Sequence, residues 1–144
     1  MISVPYGALP EVGKQLATLI EGKIVIDTCN PFVWRDGDIA TWARNIGAGL
    51  ASAELLPGAR IVRAFNAIGA ARMSTAHEDP GRVGMPIAGD DAQAIEIASR
   101  LIRDIGYEPV LIGDLEMGKY LMPGTPLAGE QGPDQIRKIA ATLD

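Results

Sequence analysis

An α/β fold of three layers, built on a mainly parallel sheet, is what this sequence predicts, and three observations predict it. Short β-branched runs alternate with stretches of helical periodicity, the pattern of strands joined by crossover helices. The runs are continuously apolar, as strands covered by helices on both faces are. Seventeen glycines and ten prolines in 144 residues are spread along the chain and supply the turns that such short elements need.

The elements follow in order. Ile2, Ser3 and Val4 form a very short extended run that breaks at Pro5-Tyr6-Gly7. Leu9, Val12, Leu16 and Leu19 then recur at a spacing that shares one helical face, and Gly22 suits a left-handed cap at its end. Residues 23–27, KIVID, read as a buried strand, broken by Thr28-Cys29-Asn30-Pro31. Residues 32–38 read as an irregular loop, and residues 39–56 as a helix interrupted by Gly47 and Gly49, closed by Pro57-Gly58. Residues 59–65, ARIVRAF, make the next strand, followed by the loop Asn66-Ala67-Ile68-Gly69. Polar, turn-rich residues 72–82 are a surface loop, and residues 85–88 a further short strand. Gly89-Asp90-Asp91 caps a helix whose Ile95, Ala98, Leu101, Ile102 and Ile105 are expected to face the sheet. Gly106 ends it, residues 108–112 form the last strand, and residues 133–143 a short amphipathic helix after a glycine- and proline-rich segment.

Bulk properties restrict the function. The net charge is −5 and no basic run occurs, which argues against a nucleic-acid surface. The one cysteine, Cys29, allows no intrachain disulfide and fits a reducing, cytoplasmic setting. No apolar stretch reaches the ~20 residues of a membrane span, and no signal-peptide pattern opens the chain. His77, the one histidine, lies among Glu78 and Asp79 with no second histidine or cysteine beside it, so no metal site is expected. Asp90 and Asp91 are expected as capping residues, Lys119 as a solvated lysine and Cys29 as a small buried hydrophobe. No triad or carboxylate pair marks a catalytic residue.

The phosphate-binding fingerprint Gly-x-Gly-x-x-Gly between a strand and a helix is absent. Gly47-Ala48-Gly49 follows a helical pattern and lacks the third glycine. A strand of three residues also reads as the end of an element that begins earlier, since five or six residues are usual.

Five motifs in order carry a family resemblance. They are Val4-Pro5-Tyr6-Gly7-Ala8-Leu9; Gly22-Lys23-Ile24-Val25-Ile26-Asp27 with Cys29-Asn30-Pro31; Val62-Arg63-Ala64-Phe65-Asn66-Ala67-Ile68; Ile87-Ala88-Gly89-Asp90-Asp91; and Gly113-Asp114-Leu115 through Pro126-Leu127. Their order and spacing resemble the NADPH-dependent reductases of the deazaflavin coenzyme F420 and related dinucleotide-binding enzymes. The resemblance spans nearly the whole chain and implies a Rossmann-like fold, of which residues 1–144 are a single domain corresponding to the C-terminal part. In that family a preceding half grips the adenosine and pyrophosphate, and it has no counterpart here.

The resemblance implies hydride transfer between NADPH and a deazaflavin, or a flavin, with the cofactor doing the chemistry and the protein orienting two rings. Val4, Pro5, Tyr6, Pro10, Asn30, Asn66, Ala67 and Ala70 are the implied cofactor contacts. Backbone and ring atoms of Pro5 and Tyr6 would meet the nicotinamide ribose, a reading favoured over Tyr6 simply capping the core and Pro5 starting a turn because the turn precedes a helix N-terminus. Asn30 follows a strand at the same sheet edge, where asparagine also serves simply as a turn former. The small-residue loop from Asn66 to Ala70 lets a flat ring approach the backbone, and Ala70 matches a nicotinamide-contacting position. NADP versus NAD, and the hydride acceptor, stay open. A second reading is a non-catalytic accessory chain that forms homo-oligomers, or completes another sheet, through the exposed edge at residues 2–4.

Overall fold

The computed structural model describes residues 1–143. After a 3-10 turn at Tyr6–Ala8 come α1 (Leu9–Ile20), β1 (Ile24–Asp27), α2 (Val33–Asp36), α3 (Asp38–Ile46), α4 (Ala48–Leu55) and β2 (Arg60–Arg63). Two 3-10 turns, Ala70–Ser74 and Ala76–Glu78, lead to β3 (Gly84–Gly89), α5 (Ala92–Ile105) and β4 (Glu108–Gly113). A 3-10 segment, Leu115–Tyr120, and α6 (Pro133–Ala140) complete the chain.

Among the described residues the sheet has four strands in the order β1-β2-β3-β4. β1 and β2 are parallel with Ile24 opposite Arg60, and β3 and β4 are parallel with Gly84 opposite Glu108. β2 and β3 meet antiparallel through Val62 opposite Gly89 and Arg63 opposite Ala88. The sheet is therefore mixed but mostly parallel, with helices on both faces, and the expected α/β, Rossmann-like class holds. The expected first strand is reduced to a single parallel bridge, Ile2 to Asp27.

Alternation along the strands sorts the core into two sides. Ile26, Val62, Met85 and Ile87 pack under α5 with Ala94, Ala98, Ile102 and Tyr107. Val25 and Ile61 face the opposite side with Leu9, Ile20, Ala43, Ala51 and Leu56 of the α1, α3 and α4 layer. Ala88 and Val110 pack with Leu121, Leu127 and Ile136, which seats α6.

Four expectations need correction. Residues 32–38 contain α2, a single helical turn closed by Asp36 rather than an irregular loop. The helix expected over residues 39–56 is two helices, broken at Gly47 (φ 95°), while Gly49 lies inside α4. A Cβ on Gly49 would stand 2.0 Å from the Leu115 carbonyl oxygen, so that glycine serves close packing. Two helices turn part of the expected face outward: in α1 Leu9 and Leu16 pack inward but Leu19 is 67% exposed and Gly13 and Ile20 are buried, and in α5 Ile95, Ala98 and Ile102 pack inward with Ala94 while Leu101 and Ile105 lie outside. In both helices two overlapping i, i+3, i+4 stripes exist, and burial takes the one whose small residues allow close approach.

Candidate functional site

The run at residues 2–4, β1 and β2 point the same way and end on one side of the sheet. A cleft of about 400 Å³ lies there, walled by Ser3, Val4 and Pro5 after the first segment, and by Thr28, Cys29, Asn30, Phe32 and Arg35 after β1. Phe65, Ile68, Ala70 and Met73, after β2, close it. Crevices beyond the carboxyl ends of strands are where α/β sheets bind ligands, because loops there are free to carry specificity.

A buried polar network fixes these loops. Asp27, at the end of β1, forms an ion pair of 2.5 Å with Arg63, at the end of β2, and both side chains have no exposed surface. The other Asp27 oxygen accepts from the Cys29 amide at 2.8 Å, and Arg63 Nη2 donates to the Cys29 carbonyl at 3.0 Å. Arg63 Nη1 also donates to Ser52 Oγ at 3.3 Å, and that hydroxyl lies 3.2 Å from the Tyr6 hydroxyl. Both peptide faces of Cys29 are thereby held by one ion pair. Burial, then the nearby Asp27, pushes the Cys29 thiol up to about 12, so it is a packed thiol and no nucleophile. Burial likewise pushes the Tyr6 phenol up to about 12, against the opposing Ser52 bond and Arg63 charge.

The two asparagines knit the loops across the cleft floor. Asn30 Nδ2 donates to the Asn66 carbonyl at 2.8 Å, and Asn66 Nδ2 donates to the Cys29 carbonyl at 3.3 Å. The side-chain oxygens of both residues are buried without a partner. Phe65 precedes this loop at φ 67°, a left-handed conformation that a phenylalanine adopts only where its surroundings hold it. Its amide donates to Met85 Sδ at 3.2 Å and its ring meets Tyr107 edge-on at 6.1 Å. That reversal turns the chain from β2 into the cleft wall.

Of the residues expected to contact a cofactor, Val4, Pro5, Asn30 and Ala70 line the cleft together. Asn66 and Ala67 are buried beneath it, with the Ala67 carbonyl accepting from the Gly129 amide at 2.7 Å. Tyr6 lies behind the wall, fully buried, and its hydroxyl is engaged by Ala48 and Ser52. Pro10, at the second position of α1, lines a separate groove with Gly13, Lys14 and Leu55. His77 is exposed in a 3-10 turn. Asp91 caps α5 through the Ala94 amide (2.8 Å) as expected, whereas Asp90 does not cap α5 and accepts from the distant Leu115 amide (2.8 Å). Lys119 lies 3.5 Å from Glu116.

Sequence reasoning missed Phe32, Arg35, Phe65 and the Asp27–Arg63 pair. The pair left a signal: KIVID and ARIVRAF are apolar runs carrying opposite charges near their carboxyl ends. Buried charges demand partners, and each strand supplies the other's.

The lining is mostly apolar or neutral, with Ala70 a small residue in the wall. The cation in the lining, Arg35, is already engaged with Asp36 at 2.8 Å.

No protein-family model and none of the curated proteins match the chain. Among solved structures it is similar to a hypothetical protein from Sinorhizobium meliloti, with 28% identity and a TM-score of 0.67, over 88% of this chain and 62% of that one. It is also similar to a protein from Arthrobacter sp. FB24 described as an F420-dependent NADP reductase, with 22% identity and a TM-score of 0.62, over 78% of this chain and 54% of that one. The second likeness is one of fold. The chain spans less than two thirds of either neighbour's length. No helix of the described residues is long and apolar enough to cross a membrane.

Proposed function

We propose that the cleft is the nicotinamide side of an NADP-linked hydride-transfer site of the F420-reductase type, with a deazaflavin or related ring as acceptor. The observation that carries this reading is the convergence of Val4, Pro5, Asn30 and Ala70 on one cleft beyond the ends of β1 and β2. The fold neighbour described as an F420-dependent NADP reductase supports it.

When bound, the nicotinamide would supply or take up a hydride, one proton with two electrons, and the acceptor would exchange a second proton with solvent. Asn30 would orient the carboxamide, Val4 and Pro5 would meet the ribose, and Ala70 would flank the ring. Phe65, Ile68 and Met73 keep water from that face of the cleft.

A fragment titration followed by amide NMR tests this. Nicotinamide mononucleotide is expected to shift the Val4, Asn30 and Ala70 signals, while adenosine 2′,5′-bisphosphate leaves them in place. No shift with the mononucleotide at millimolar concentration would remove the reading. Tight binding of the adenosine fragment would place phosphate recognition within this chain and overturn the division of labour.

One observation favours a second role. The run at residues 2–4 makes one bridge to β1, and no strand among the described residues covers its other edge. Exposed edges recruit strands, so the edge would pair with a second copy of the chain or with another chain's sheet. Light scattering checks the homo-oligomer: a monomer at high concentration counts against it.

A further inference from the structure

Trp34 is 82% exposed, the highest value among the large apolar side chains of the described residues. It stands in α2, a four-residue helix with no buried residue of its own. Isolated turns of that length have no stability in water, and the core contributes nothing here, so other forces must hold α2.

They are polar, and they come from the cleft. Asp36 accepts from the Gly7 amide and the Phe32 amide, each at 3.1 Å, and from Arg35 Nε at 3.0 Å. Arg35 Nη2 reaches Asp36 at 2.8 Å and the Asn30 carbonyl at 2.9 Å. The Arg35 guanidinium also stands 5.0 Å above the Phe32 ring. The Phe32 and Trp34 ring centroids are 5.8 Å apart at an interplanar angle of 38°. Phe32 and Arg35 line the cleft, and Trp34, between them in sequence, turns its indole to solvent against the Phe32 ring.

We propose that Trp34, backed by Phe32, is the stacking residue for the second substrate, a flat conjugated ring; this rests on the hydride-transfer reading above. Direct hydride transfer needs the acceptor held face to face with the nicotinamide while it enters from the open side of the cleft. An indole on a rigid turn offers a large planar face at low conformational cost. A simple aliphatic carbonyl compound would gain nothing from that face. Trp34 is thus a specificity-determining residue that selects rings.

Riboflavin, a planar tricycle without phosphate, is the probe. Its fluorescence is followed on titration with the whole chain, with and without saturating NADP⁺, in wild type, Trp34→Ala and Trp34→Phe. NADP⁺ and oxidised riboflavin do not react, so binding alone is read. Trp34→Ala is expected to weaken riboflavin binding about tenfold or more, on the scale of one lost ring stack. Trp34→Phe retains most of it, and NADP⁺ affinity is equal in all three. Because the side chain is exposed, the variants should unfold at the wild-type temperature. Equal riboflavin affinity in wild type and Trp34→Ala, or no binding by wild type, overturns the proposal. A change of molar mass on Trp34→Ala with unchanged riboflavin affinity overturns it too, by assigning Trp34 to a contact between copies. Trp34-dependent riboflavin binding without any NADP⁺ binding keeps the ring platform and removes the hydride-transfer reading.

Discussion

Asp27 and Arg63 have given up all contact with water, and each is tolerable only because the other is present. Removing one partner strands a buried charge, so Arg63→Met should cost about 3–5 kcal/mol in urea unfolding. The double variant Asp27→Leu/Arg63→Met should cost less than the sum of the singles, because it leaves no orphaned charge. It should not return to wild-type stability, since Arg63 also holds the Cys29 carbonyl. Cys29 gives a second prediction at this scale. Its pKa of about 12 in the fold lies above the ordinary thiol value of 9.0, so the unfolded chain ionises first. Stability is undiminished below pH 9 and falls as pH rises from there towards 12, and Cys29→Ala should flatten that limb in a pH series of melts. In native protein at pH 8 the thiol should resist iodoacetamide. Much of this was legible in the sequence: a lone cysteine after a strand reads as buried. The ion pair was visible only as two charges in apolar runs, because pairing depends on which strands lie side by side.

Helices show where sequence periodicity stops informing. The run after Pro5 was legible as a helix, yet its inner stripe is Leu9, Gly13 and Ile20 rather than one containing Leu19. A glycine carries no apolar signal, but at position 13 it lets α1 meet α4, where a Cβ would lie 1.9 Å from the Leu55 carbonyl oxygen. Gly13→Ala sets two effects against each other. Helix propensity gains about 1 kcal/mol, while driving a methyl into a backbone carbonyl costs about 1–3 kcal/mol or forces the helices apart. The clash should win, giving a lower melting temperature. Gly69→Ala, whose Cβ would meet nothing within 4 Å, is the neutral control. α5 supplies a pH test. Asp91 accepts both prongs of the Arg60 fork, at 2.7 and 2.8 Å, and the Ala94 amide, which together hold its carboxyl at about 2. Between the ordinary carboxyl value of 3.8 and about 2 the unfolded chain takes up the proton first. The Asp91 contribution is therefore complete above pH 4 and lost as pH falls through 2, and Asp91→Asn should show a shallower acid limb. α2 escaped sequence reading because four residues carry no period, and its hold comes from the Asp36 carboxylate and the Arg35 guanidinium.

At the scale of the molecule, the class of fold was legible because apolar runs and helical stretches alternate in sequence as layers do in space. The half-and-half direction of the sheet was not: MPIA reads the same whether it runs with its neighbour or against it. Nor was the cleft's outer wall, since Phe32, Arg35 and Met73 lie in segments that look like loops. The reversal between β2 and β3 divides the sheet into two strand–helix–strand units, β1 to β2 and β3 to β4. Two facing pairs, Val62 with Gly89 and Arg63 with Ala88, are the backbone register between them. Side chains of Ile26, Val62 and Phe65 packing with Met85 and Ile87, the Arg60–Asp91 fork and the seat of Gly49 on Leu115 supply the rest of the join. A seam with so few backbone hydrogen bonds is a natural line of subglobal opening. In native-state hydrogen exchange the amides within each parallel pair should outlast those that cross the seam. The half carrying Asn30 and Phe65 could then breathe against the half carrying α5 without either one melting.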